Sequence, residues 1–215
     1  MITIQKCLAL CQVVLITWGC SGTHVEFMFP MFIISLLMYI ITIFFTKEPL
    51  NEFEKVLSIV LFLTICICLV QYLNPSMERI NAENYVFFRS IDYIKWLPTS
   101  IRSDFIMGNP LRALVEISTV LMSTLAFLQL FKDRAFLKVA LSFFGINVAL
   151  MGFYGVWQQM EKIPIIYNAF HSGSQIFGSF YLSNAAGAFF NLGIVANFAM
   201  VCVLFRRKRI KMKLY

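Results

Sequence analysis

The sequence predicts an all-α class: a polytopic helical membrane protein with about six transmembrane helices and an aromatic-rich outer interfacial segment. Three observations predict it. Of the 215 residues, 60% are hydrophobic and only 13% are charged, whereas a soluble domain is about a quarter charged. Six stretches are continuously apolar: Cys7–Gly19, Phe27–Thr46, Val56–Leu73, Leu111–Phe131, Phe136–Gln159 and Ile176–Phe205. A hydrocarbon core of about 30 Å needs about 20 apolar residues of helix, which every stretch but the short first one supplies. Third, the last stretch runs straight into the basic segment Arg206-Arg207-Lys208-Arg209-Ile210-Lys211-Met212-Lys213. A water-soluble fold of this size has too little interior to hide so much apolar surface. Barrel strands alternate apolar and polar residues with period two, and these runs do not.

The first stretch has two readings. Lys6, the run Leu8–Ile16 and Trp18-Gly19-Cys20-Ser21 resemble a cleaved signal peptide. The bulky Trp18 before the cysteine fits a cleavage site poorly, so the favoured reading is a retained first helix. The second and third stretches are joined by Thr46–Lys55, where Pro49 breaks the helix. The fourth and fifth are joined by Phe131-Lys132-Asp133-Arg134-Ala135. Connections this short make neighbouring helices antiparallel partners. With no internal repeat and no low-complexity linker, residues 1–215 read as one membrane domain.

Charge sets the expected orientation. With six spans and a cytoplasmic tail at 206–215, the N-terminus is cytoplasmic too. Twelve of the 18 basic residues then lie on the inner side. The other six (Arg79, Arg89, Lys95, Arg102, Arg112 and Lys162) lie on the longer outer side, the bias that the positive-inside rule describes. The net charge of +7 is therefore a membrane anchor facing anionic headgroups, not a nucleic-acid surface. The six cysteines, Cys7, Cys11, Cys20, Cys66, Cys68 and Cys202, lie within or at the ends of apolar runs without a CxxC pair. They read as small buried hydrophobes, not as disulfides or metal ligands.

Chemistry has few places to sit. The outer segment Asn74–Pro110 interleaves Tyr85, Phe87, Phe88, Tyr93, Trp96 and Phe105 with Glu78, Arg79, Glu83, Arg89, Asp92, Lys95, Arg102 and Asp104. That mixture suits a loop lying in the headgroup layer, with Trp96-Leu97-Pro98-Thr99-Ser100 as a turn. Alternatively, the segment is a platform for a lipid-linked substrate. The second outer segment, Glu161–Gln175, holds His171 beside Ser172 and Ser174. These read as solvated loop residues, because no acidic partner completes a nucleophile–base arrangement. His24 and His171 form no ligand-spaced cluster, so no metal site is expected. No phosphate loop, dinucleotide fingerprint or zinc-protease motif occurs. Inside the apolar stretches, Gln71, Asn147, Gln158, Gln159, Asn184, Asn191 and Asn197 need polar partners, so they face other helices or a polar cavity. Glu116 lies near the outer end of the fourth stretch. The small residues of Ser183-Asn184-Ala185-Ala186-Gly187-Ala188 let helix backbones approach closely.

Two patterns together resemble the O-antigen ligase and polymerase family. They are Gly155-Val156-Trp157-Gln158 and, after a short outer loop, Phe177-Gly178-Ser179-Phe180-Tyr181-Leu182-Ser183-Asn184 with its small-residue run. Gln71-Tyr72-Leu73-Asn74-Pro75 and Trp96-Leu97-Pro98-Thr99-Ser100 are similar to upstream family elements. The resemblance implies the N-terminal half of a membrane glycan ligase of the bacterial inner membrane. Such enzymes transfer an undecaprenyl-pyrophosphate-linked glycan to a lipid or sugar acceptor at the periplasmic face, without metal or nucleotide cofactor. It implies substrate-binding roles for Gln158, Gly178 and Asn184, and leaves the catalytic residues unknown. Family members commonly carry an arginine three residues before the motif glycine, to bind pyrophosphate; here that position is Gln175. The large histidine-bearing loop and later helices of the family have no counterpart in this chain. A missing C-terminal half or partner membrane subunit is therefore expected, besides the bilayer and a lipid-linked glycan. The alternative is a non-catalytic scaffold or a subunit of a polysaccharide export assembly.

Overall fold

The computed structural model describes residues 2–19, 25–45, 49–82, 85–106, 108–161, 165–166, 170–171, 177–180 and 183–212. It is mostly helical. The helices are α1 (Ile2–Trp18), α2 (Val25–Phe45), α3 (Glu52–Leu73), α4 (Pro110–Leu130), α5 (Arg134–Met160) and α6 (Ser183–Met212). The strands are β1 (Pro75–Ala82), β2 (Tyr85–Ser90), β3 (Ser100–Arg102), β4 (Ile165–Ile166) and β5 (Phe170–His171). Among the described residues, five helices are long and apolar enough to cross a membrane, where six were expected; α1, at 17 residues, is too short. The chain divides into two compact units, residues 28–128 and residues 1–27 with 129–215.

In the unit 28–128, α2, α3 and α4 share a core. Leu61, Met122 and Leu125 are buried there, with Phe32, Leu36, Tyr39, Leu57, Ile65 and Leu121 packed around them. Ser35 of α2 and Ser123 of α4 share a buried hydrogen bond of 2.8 Å. Other hydroxyls bond the carbonyl one turn back, as Thr42 does to Met38 and Ser58 to Glu54, which satisfies them without water. α3 begins with a capping box: Asn51 Oδ1 accepts from the Glu54 N–H, and Glu54 Oε2 accepts from the Asn51 N–H, both at 2.8 Å.

The segment after α3 departs from the expected all-α fold. It folds into a three-stranded sheet of order β2-β1-β3. β1 pairs antiparallel with β2, from Met77 opposite Ser90 to Ala82 opposite Tyr85, and parallel with β3. Tyr85-Val86-Phe87-Phe88 favours strand, since aromatic and β-branched side chains fit a pleated surface. The sequence hides this strand because every residue of β2 is exposed. Neither face is selected to be apolar, so no alternation marks it.

The last helix also begins later than expected, at Ser183 instead of Ile176. Phe177 and Phe180 pair their backbones at 3.3 and 3.1 Å around a turn. Gly178 in that turn has φ of 63°, a left-handed conformation that no helix continues through. At its far end the α6 backbone continues through the basic run to Met212; the side chains there lie outside the described ones.

In the other unit, α1 and α5 run parallel. Lys6 meets Asp133 near their N-termini at 2.6 Å, and Trp18 meets Asn147 one helix-length on at 3.1 Å. α5 and α6 run antiparallel and close together, with Asn197 lying over Gly145 and Val148 against Gly193. Small residues at such crossings let backbones approach where larger side chains would hold them apart.

Candidate functional site

The motif pieces that carry the resemblance fold onto each other in the unit formed by 1–27 and 129–215. Gln158 sits in the last turns of α5 and is 1% exposed. Its Oε1 accepts the backbone N–H of Gly178 at 2.9 Å. Gly155, one turn before Gln158, leaves room for the Phe177 ring, which a Cβ would strike. Gly178 is buried against α5: a Cβ there would lie 2.5 Å from Met151 Sδ.

Next to this joint, the fully buried Ser179 hydroxyl donates to the Thr17 carbonyl at the end of α1, at 2.6 Å. Trp18 Nε1 donates to Asn147 Oδ1, while Asn147 Nδ2 donates to the Phe143 carbonyl at 2.9 Å. A polar seam therefore ties the end of α1, the middle and end of α5 and the 177–180 turn. Each hydrogen bond satisfies a group whose burial alone would be unfavourable. Apolar packing encloses the seam: Met151, Phe180 and Ala186 are buried, with Trp18, Tyr154, Phe189 and Phe190 against them. Phe180 and Phe189 lie 5.0 Å apart, and Trp18 and Tyr154 6.1 Å apart, within the range of favourable aromatic pairs.

Beside the seam, α5 and α6 border an open groove of about 490 Å³ lined by Ala149, Gly152, Phe153, Val156, Phe177 and Phe190. Its lining is wholly apolar, so it offers a hydrocarbon chain a surface and a sugar none. Gln158 is not among its lining residues.

The remaining sequence-selected residues fall elsewhere. Asn184 is in the first turn of α6, and its side chain lies outside the described ones. The same holds for the His171 side chain, and Ser172, Ser174, Gln175 and His24 are outside the described residues altogether. Asn197 Nδ2 bonds the Gly193 carbonyl of its own helix at 2.9 Å. Glu116 pairs with Arg112 one turn away at 2.8 Å, and the Gln71 carbonyl accepts the Ser100 hydroxyl at 2.6 Å. Among the described residues, no three His, Cys, Asp or Glu side chains gather as a metal site would need.

Two partners were missed in the sequence, Trp18 and Thr17. Asn147, an amide in an apolar stretch, needs a polar partner, but Trp18 stands 129 positions away and no local spacing connects them. The ion pair near the start of α5 was also unseen. Asp133 caps α5 through the Ala135 and Phe136 N–H groups and receives Lys6. The Lys6 ammonium, and then those two N–H groups, hold the Asp133 carboxyl below the usual carboxylate range.

No protein-family model, curated protein or solved structure matches this chain.

Proposed function

We propose that the chain is a multi-pass bacterial inner-membrane protein of the O-antigen ligase type, serving as the donor-holding half of a glycan-transfer assembly. One observation carries the reading. The two motif pieces, separated by a loop, form one joint through the Gln158–Gly178 hydrogen bond and the Gly155–Phe177 packing. In this reading Gln158 and Gly178 shape the end of α5 and the entry to α6. Asn184 at that entry orients the lipid-linked donor, and the bond-making groups come from a partner half. The five long apolar helices support embedding in a membrane.

The test is deletion of the chain in its host, followed by analysis of acceptor-linked glycan. The expected result is loss of that glycan with accumulation of the lipid-linked precursor, and Asn184→Leu reproduces the loss. Unchanged glycan transfer overturns the ligase reading.

A second reading, a non-catalytic scaffold or export subunit, is favoured by the burial of Gln158 away from the groove. It predicts that deletion disrupts a membrane complex while leaving ligation to the acceptor intact.

A further inference from the structure

α3 passes directly into the sheet, and Asn74 forms the junction. Its backbone N–H closes α3 onto the Val70 carbonyl at 2.9 Å. Its side chain grips a loop twenty residues further on. Oδ1 accepts the Ile94 N–H at 2.8 Å, and Nδ2 donates to the Ile94 carbonyl at 3.0 Å and the Pro98 carbonyl at 3.3 Å. Ser100 adds a bond to the Gln71 carbonyl at 2.6 Å. The side chain of Asn74 is buried, and it holds Ile94 on both backbone groups as a neighbouring strand would.

The clamp brings a set of exposed side chains to the end of α3. Trp96 is 82% exposed and Leu73 79%, with Tyr72, Tyr93 and Ile94 also exposed. Only 11% of the α3 segment is buried, so its apolar outer surface continues through Tyr72 and Leu73 toward the clamped loop. Lys95, between Ile94 and Trp96, is exposed and in no ion pair among the described residues; Asp92 is the acidic side chain of the same loop.

We propose that the Tyr93–Trp96 loop is a lipid-interface anchor whose partner is an anionic bilayer surface, and that Asn74 is the positioning residue that sets its depth. Indole and phenol rings favour the boundary between acyl chains and headgroups, and a lysine there meets lipid phosphate. Continuity with the α3 surface and the charge of Lys95 select this occupant over a protein partner. The anchor is this loop alone. The β1–β2 hairpin, with Tyr85, Phe87 and Phe88, is not held by Asn74. The inference rests on the membrane reading above.

The experiment reconstitutes the full chain into vesicles containing anionic lipid, with and without lipids brominated near the headgroup end of the acyl chain. Tryptophan emission is compared between wild type and Trp96→Phe. Flotation of the protein with the vesicles comes first, and failure to float overturns the membrane reading itself. If the protein floats, bromolipid should quench a component of the emission that Trp96→Phe lacks. Equal quenching in both proteins overturns the anchor. Asn74→Ala should retain flotation but lose at least half of the Trp96-dependent quenching; full retention of that quenching overturns the positioning role. Replacing the anionic lipid with a neutral one should reduce the quenching in wild type and leave Lys95→Gln unchanged. The same dependence on anionic lipid in Lys95→Gln overturns the part assigned to Lys95.

Discussion

The backbone N–H of Gly178 donates to the buried amide oxygen of Gln158 at 2.9 Å, across 20 residues of chain. Gln158→Leu keeps the volume but leaves that N–H without its acceptor, a loss of about 1–3 kcal/mol. Gly178→Ala loses about 1–2 kcal/mol from its left-handed backbone, and it also meets Met151. Thermal unfolding in detergent should show both variants less stable than wild type, with Gly178→Ala the worse. A wild-type melting temperature for Gln158→Leu would remove this hydrogen bond from the stability of the joint.

Asn197 lies over Gly145 where α5 and α6 cross. Gly145→Ala should destabilise by about 1–3 kcal/mol through overpacking. Asn197→Ala, at an exposed position, should change stability by no more than about 0.5 kcal/mol. The double variant should recover most of the loss, because the added methyl then fills space left by the amide. Simple additivity in this cycle would show that the two residues do not couple.

Lys6 and Asp133 make the stability near the start of α5 pH-dependent. The Asp133 carboxyl is held below its usual range by the Lys6 ammonium and by two N–H groups at the helix start. Its folded pKa is therefore lower than its unfolded one. The stabilisation is present above the ordinary carboxylate value and is lost as the pH falls through the lowered folded value. Asp133→Asn keeps the cap and should flatten this acid-side fall in melting temperature. The wild-type difference should shrink at high salt, since both groups are substantially exposed. An unaltered acid-side profile in Asp133→Asn would show that other groups govern it.

The charge bias predicts a cytoplasmic tail. A reporter that works only outside the cytoplasm, fused after Tyr215, should be silent, and the same reporter inserted at Glu83 should be active. Activity at Tyr215 would overturn this orientation.

Much of the helical frame was legible because a continuous apolar run of sufficient length carries its own signal. The end of α3 was read at Leu73, and the start of α4 within one residue of Pro110. The start of α6 was read seven residues too early, because the sequence from Ile176 is as apolar as a helix, and only the left-handed Gly178 in the 177–180 turn breaks it. The sheet was missed for the opposite reason. β2 is exposed on both faces, so burial left no periodic mark on it.

The sequence by itself determined long apolar helices, their order, and the bias of positive charge toward one set of connections. Composition and run length decide these, since the free energy of moving such segments out of water is a sum over residues and needs no partner. Tertiary structure decided which polar groups satisfy each other: Gln158 with Gly178, Trp18 with Asn147, Ser179 with Thr17, and Asn74 with Ile94. Those pairings depend on distance and direction between groups far apart in the chain. A residue's type states only that it needs a partner; the fold supplies which one.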